Sequence, residues 1–208
     1  MANENRPQRQ LIEGRAVLLV IDIQASTFID DSAVRSIDNM PGYRDRMLAA
    51  RGAIDAARAA DVPVVFVQEV HRPDLVDFGR ELDGDEDVHC LEDNPKTALA
   101  IREMGIRPTD YVVPKRRYSA FFGTDLEILL KGLKADTLLL VGGLTDVCVH
   151  YTFVDAHQHD YFVRVIEDCV AGSSLAAHEA SLKAMEYLQT GARCSLTAAS
   201  NALAAVRA

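Results

Sequence analysis

No apolar run in this chain approaches the ~20 residues that a bilayer-spanning helix needs, so no membrane span is expected. Met1 to Gln10 are polar and hold no apolar h-region, which argues against a secretory signal peptide. They read as a flexible tail over 1–10, ahead of a domain over 11–208. Cysteine is sparse: Cys90, Cys148, Cys169 and Cys194 lie far apart with no CxxC pair. That spacing argues against a disulfide framework or a structural zinc centre, and it fits a cytoplasmic protein with free thiols. Basic residues are in deficit, 22 against 31 acidic ones, for a net charge of −9. Such a chain lacks the Lys/Arg contacts that nucleic acid and anionic membranes require, so neither is expected as a partner. No GxGxxG follows the first aliphatic run, which disfavours a dinucleotide-binding enzyme. Internal repeats and low-complexity segments are absent, and nothing marks a second domain.

What is present suits one sizeable globular domain: 208 residues, 49% hydrophobic and 25% charged. The acid is concentrated. From Arg72 to Asp93 nine carboxylates stand against two arginines, a net of −7 that leaves −2 for the rest of the chain. Around this segment the chain alternates between strand and helix patterns. Ala16 to Ile21 is a continuous aliphatic run, as a strand buried on both faces requires. The spacing predicts a helix over Met47–Ala60, a strand over Pro63–Val67 and a short strand at Tyr111–Val113. It then predicts a helix over Thr124–Lys134 capped by Thr124, a strand over Thr137–Val141 and a helix over Asp146–His159. A strand over Phe162–Ile166, a helix over Ser173–Leu188 and a final strand near Ala192–Leu196 complete the pattern. Repeated units of this length imply an α/β fold: a single-domain, Rossmann-like three-layer sandwich with a mostly parallel sheet of about six strands.

In such sheets ligands bind at the carboxyl ends of the strands. That rule selects Asp22 after the first strand, Lys115 after the third and the segment 142–148 after the fourth. Cys148 follows a glycine turn at the start of a predicted helix, where the positive helix terminus favours thiolate. The backbone N–H groups of that turn can receive a developing oxyanion. Singly, a cysteine is more often core, an aspartate more often a cap and a lysine more often a solvated charge. The combination of carboxylate, ammonium and thiol on three strand ends is the informative feature.

Three blocks then carry a family resemblance: Val17-Leu-Leu-Val-Ile-Asp22-Ile-Gln24, Lys115 to Leu126 with Ser119-Ala120-Phe121-Phe-Gly123, and Val141-Gly-Gly-Leu-Thr145-Asp-Val-Cys148-Val149. In these, and over roughly residues 14 to 195, the chain resembles the isochorismatase-like cysteine hydrolases. That superfamily includes N-carbamoylsarcosine amidohydrolase, nicotinamidase and biuret hydrolase. The resemblance implies a catalytic Asp22, Lys115 and Cys148, and a cis peptide at Leu144–Thr145 beside the oxyanion site. It implies covalent C–N hydrolysis with a Cys148 thiolate lowered below the free value of about 8.5, and a homotetramer. Nicotinamidases carry an Asp-x-His metal site after the second strand. Here the segment reads Glu69-Val70-His71, with His89 beyond it, and the favoured expectation is no metal and no cofactor. The run from Asp77 to Leu82 with Glu86 and His89-Cys90 resembles the ureido-acting branch. The expected substrate is therefore a small neutral ureido or amide compound of biuret, triuret or N-carbamoyl type. Phe28, Glu69, Arg80, Tyr118 and Gln189 are the expected substrate contacts. Two alternatives stand beside this: a metal-assisted, nicotinamidase-like amidase, and a non-catalytic binding protein that has kept the fold. The acidic segment is too long for an idle loop in a compact domain and is expected to form a lid or intersubunit arm over Cys148.

Overall fold

The computed structural model describes residues 10–30, 37–84 and 86–206. Of the expected tail over 1–10, all but Gln10 lies outside them. Six strands form one sheet: β1 (Ala16–Ile21), β2 (Val64–Glu69), β3 (Tyr111–Lys115), β4 (Thr137–Gly143), β5 (Phe162–Ala171) and β6 (Arg193–Cys194). Their order is β3-β2-β1-β4-β5-β6, and every pairing is parallel. The helices are α1 (Tyr43–Ala59), α2 (Ile101–Met104), α3 (Leu126–Leu133), α4 (Cys148–Gln158), α5 (Leu175–Leu188) and α6 (Leu196–Val206).

Because side chains alternate along a strand, β1 feeds two cores at once. Leu18 and Val20 face α1 and α6, whereas Val17, Leu19 and Ile21 face the opposite layer with Leu126, Val149 and Leu182. All six residues of β1 are buried, each Val, Leu or Ile side chain among them contributing about 1.5–3 kcal/mol, which explains the uninterrupted aliphatic run. The three expected layers are present.

Differences from expectation lie at the ends of elements. Helix α5 begins at Leu175, with Ser174 capping it by accepting the Ala177 N–H. Thr124 accepts the Leu126 N–H from just outside α3, and β5 runs on to Ala171. Helix α6 lies beyond the last element that the spacing predicts and packs on α1 and the α1-facing core through Ala199 and Leu203. No helix among the described residues is long and apolar enough to cross a membrane.

The sheet reverses its direction of growth between β1 and β4, the position where doubly wound sheets open a crevice. Close backbone contact is enforced there by Gly142, whose φ is +121° and where a Cβ would strike the Ile21 carbonyl. Only glycine allows β4 to lie this near the end of β1.

Candidate active site

The carboxyl ends of β1, β2, β3 and β4 deliver four polar side chains to one point. Asp22 leaves β1 in a left-handed backbone conformation (φ 52°), and its Oδ1 accepts the Glu69 N–H at 2.8 Å. Its Oδ2 forms an ion pair with Lys115 Nζ at 2.9 Å. Lys115 Nζ also donates to Glu69 Oε2 at 3.1 Å and to Cys148 Sγ at 3.4 Å. Cys148 is the first residue of α4, and its thiol lies 3.7 Å from Glu69 Oε2. Lys115, Glu69 and Cys148 are all buried. The three residues singled out at strand ends thus meet, and Glu69 joins them as a partner of the lysine.

One buried cation among two carboxylates and a thiol sets the protonation states. Burial disfavours the charged ammonium of Lys115, but Asp22, Cys148 and Glu69 outweigh it and hold its pKa well above the ordinary value. Glu69 pays the same desolvation, which Lys115 and hydrogen bonds from His71 and His89 override, leaving it well below the carboxylate range. Asp22 rises to about 6, chiefly through burial, despite Lys115. The Cys148 thiol is pushed up by burial and by Asp22 and Glu69, against the pull of Lys115. This corrects the expected resting thiolate. Burial adds to two acids facing one ammonium.

The cis peptide is a second correction, lying at Gly143–Leu144 instead of Leu144–Thr145. Gly143 has no Cβ to crowd against the Tyr43 hydroxyl, while Thr145 is fixed on both sides. Its N–H donates to Ala171 O at 2.9 Å and its hydroxyl meets His178 Nδ1, also at 2.9 Å. The Thr145 amide is therefore committed. The Leu144 and Cys148 N–H groups, by contrast, donate to no group among the described residues and border the cavity. They are the amides placed to receive an oxyanion.

A cavity of about 130 Å³ opens above Cys148. Of the five expected substrate contacts, Tyr118 and Glu69 border it. Phe28 does not: it packs on the α1-facing core, and its neighbours Ser26 and Thr27 face the cavity instead. Arg80 points into solvent and pairs with Asp83 at 2.8 Å, because its loop turns Phe78 inward to stack on His71. Gln189 lies at the opposite end of the sheet. α5 returns the chain to the amino ends of the strands, where Gln189 Oε1 accepts from Val163 N at 3.0 Å and Nε2 donates to Tyr161 O at 2.9 Å.

The acidic segment forms one wall. Its ends are tied by His71 N–H to Cys90 O and Glu92 N–H to His71 O, each 2.8 Å, which brings Glu86, His89 and Cys90 to the cavity. Behind that wall Glu69, His71, Glu81 and His89 each turn one donor atom toward the same space, all four within 4.8 Å of one another. Both oxygens of buried Glu81 lack a hydrogen-bond partner, although His71 Nε2 stands 3.3 Å from Oε2. Glu81 rises to about 7, chiefly through burial and then Glu69. His89 rises to about 9: burial lowers it, but the hydrogen bond and charge of Glu69, with Asp87 O and Glu86, together outweigh burial. Two carboxylates and two imidazoles, with both Glu81 oxygens unpartnered, fit a divalent cation.

A parallel sheet reversing at β1/β4, with thiol, ammonium and carboxylates on its strand ends, defines a doubly wound α/β domain built around a candidate nucleophile. The family model of the isochorismatase domain matches residues 16–199, and the chain belongs to that family. It is 29% identical over 147 residues to the ureidoacrylate amidohydrolase RutB of Rhizobium rhizogenes, covering 62% of this chain and 59% of that protein. A cysteine hydrolase from Pseudomonas syringae pv. phaseolicola superposes with TM-score 0.83 at 25% identity, over 97% and 99% of the two chains. The N-carbamoylsarcosine amidase of Thermoplasma acidophilum gives TM-score 0.64 at 31% identity, over 76% of this chain and 85% of that one.

Proposed function

We propose that the protein is a cysteine-dependent amidohydrolase that cleaves a C–N bond of a small ureido or amide compound through a thioester. The observation that carries this reading is Lys115 Nζ, 2.9 Å from Asp22 and 3.4 Å from a thiol on the cavity floor. The names of the relatives, ureidoacrylate amidohydrolase and N-carbamoylsarcosine amidase, support the same bond type.

In this mechanism Asp22, ionised above pH about 6, takes the Cys148 proton as the sulfur attacks the carbonyl carbon. Lys115 stabilises the sulfur anion as it forms, which matters because the resting group is a thiol. The oxyanion settles between the Leu144 and Cys148 N–H groups, donors already in place for the developing charge. Asp22 returns the proton to the departing nitrogen, the C–N bond breaks and the acyl group stays on sulfur. Asp22 then draws a proton from water, which attacks the thioester and restores the thiol.

The test is ammonia release from biuret, triuret, N-carbamoyl amino acids and nicotinamide. At least one ureido or amide compound is expected to turn over, and a folded protein inert toward all of them ends the reading. The pH profile supplies a second check. A protonated Asp22 cannot accept the thiol proton, so kcat/KM should fall below pH about 6, by about tenfold per unit. A flat profile from pH 5 to 8 would remove Asp22 from the base role.

Glu81's unpartnered oxygens favour a second reading, in which a divalent cation is held by Glu69, His71, Glu81 and His89. When bound, such an ion supplies a Lewis acid beside the cavity. Elemental analysis of protein dialysed against zinc or manganese checks this. About one ion per chain is expected, falling at least tenfold in Glu81→Gln, since outer and inner ligands each matter at about that level. No retained metal in the unaltered chain rejects the ion and leaves the thiol mechanism standing.

A further inference from the structure

We propose that Glu86 binds the end of the substrate remote from the scissile bond, and that this end carries an N–H donor and no negative charge. The inference rests on the amidohydrolase reading and extends it to the substrate class.

The charges around the cavity are unequally committed. Lys115 is engaged by Asp22 and Glu69. His89 faces Glu69 Oε1 at 3.5 Å, and its Nδ1 is turned to Asp87 O at 2.7 Å. At the mouth, Arg44 pairs with Asp30 at 3.2 Å. Among the described residues, each cation of the wall therefore has an oxygen partner already. Glu86 is the opposite case: half-buried at the cavity surface, it makes no hydrogen bond and no ion pair among the described residues. Tyr118, whose hydroxyl is pushed up by burial and then by Glu86, lies close enough on the same wall to feel that carboxylate.

A half-desolvated acceptor facing a small cavity rewards an N–H donor and penalises a second carboxylate, which would bring two negative charges together with no unengaged cation among the described residues between them. A terminal carbamoyl or amide group meets this requirement. A terminal carboxylate, such as an acrylate, does not. The polar residues that remain on the described lining, Gln24, Ser26, Thr27, Asn39, Tyr43 and Thr97, are uncharged and impose no opposite preference.

The matched pair N-carbamoylglycinamide and N-carbamoylglycine tests this, since the two share one ureido group and differ only in the distal amide or carboxylate. The unaltered enzyme is expected to favour the amide in kcat/KM by about tenfold or more, the range of a hydrogen bond to a charged group. Glu86→Gln should bring the ratio near one, mainly through KM, because the glutamine amide can donate to a carboxylate. Calorimetric binding of the amide to Cys148→Ser, with and without Glu86→Ala, gives a readout independent of turnover, and about a tenfold weakening is expected. A ratio at or below one in the unaltered enzyme, or an unchanged ratio in Glu86→Gln, overturns the assignment of Glu86 while hydrolysis itself stands. If neither compound nor any other ureide or amide is hydrolysed, the amidohydrolase reading falls and this inference falls with it.

Discussion

Replacing Cys148 with serine is expected to lower kcat by about 10³-fold or more while changing stability by less than about 1 kcal/mol. The two halves of that expectation have different physical origins. A serine hydroxyl fills nearly the same volume at the first position of α4 and can keep the hydrogen bonds to Lys115 and Asp22, so packing is preserved. As a nucleophile it fails, because Asp22, with a pKa of about 6, is far too weak a base for an alcohol in a site that holds one ammonium. The thiol is workable there even though burial and two carboxylates raise it, since the barrier to sulfur anion is offset by Lys115 as the proton leaves. Cys194→Ser, at the sheet's far edge, is the control and should retain turnover. Steady-state kinetics beside thermal melts decide the matter. Full activity in Cys148→Ser would refute the covalent route, whereas loss of folding would say only that the position is structural.

The fold could be read from the chain because burial on both faces leaves a plain mark. Ala16–Ile21, Val64–Val67 and Leu138–Val141 are apolar at every position, so parallel strands and their carboxyl ends follow from pattern alone. Asp22 is legible for the same reason, Lys115 closes the short edge strand β3, and Cys148 follows the glycine turn that ends β4. Loop contacts are not legible. Glu81 and Glu86 reach the site because a bridge between His71 and Leu91 closes the acidic segment, and nothing local in the sequence encodes that closure. Arg80 and Gln189 failed for a complementary reason: they lie near the right motifs in sequence, but one faces solvent and the other sits at the wrong end of the sheet. Helix α6 did carry a signal, since Ser195 accepts the Ala198 N–H ahead of an alanine-rich run, but its short length beside a two-residue strand hid it.

Lys115→Met should be the most damaging single change to the fold, costing about 3–5 kcal/mol at neutral pH as well as nearly all turnover. Methionine matches the length of the lysine stem but leaves Asp22 and Glu69 facing each other in a buried site with no cation, where at present each lies within 3.1 Å of Nζ. Those carboxyls would then hold protons more tightly in the folded chain than in the unfolded one, where carboxylates titrate near 4. By linkage the folded variant gains stability relative to the unfolded chain as pH falls, so the deficit should shrink between pH 7 and about 5. Adding Glu69→Gln removes one of the two stranded charges and should return a sizeable part of the lost stability at pH 7. It should not return activity, because Asp22 and Cys148 would still lack the ammonium that receives the sulfur anion. Denaturant melts of the single and double variants at both pH values, with kinetics at pH 7, separate the two roles. A Lys115→Met protein as stable as its parent would contradict the buried ion network. A double variant that hydrolyses substrate at the parental rate would remove Lys115 from the chemistry and leave it a purely structural cation.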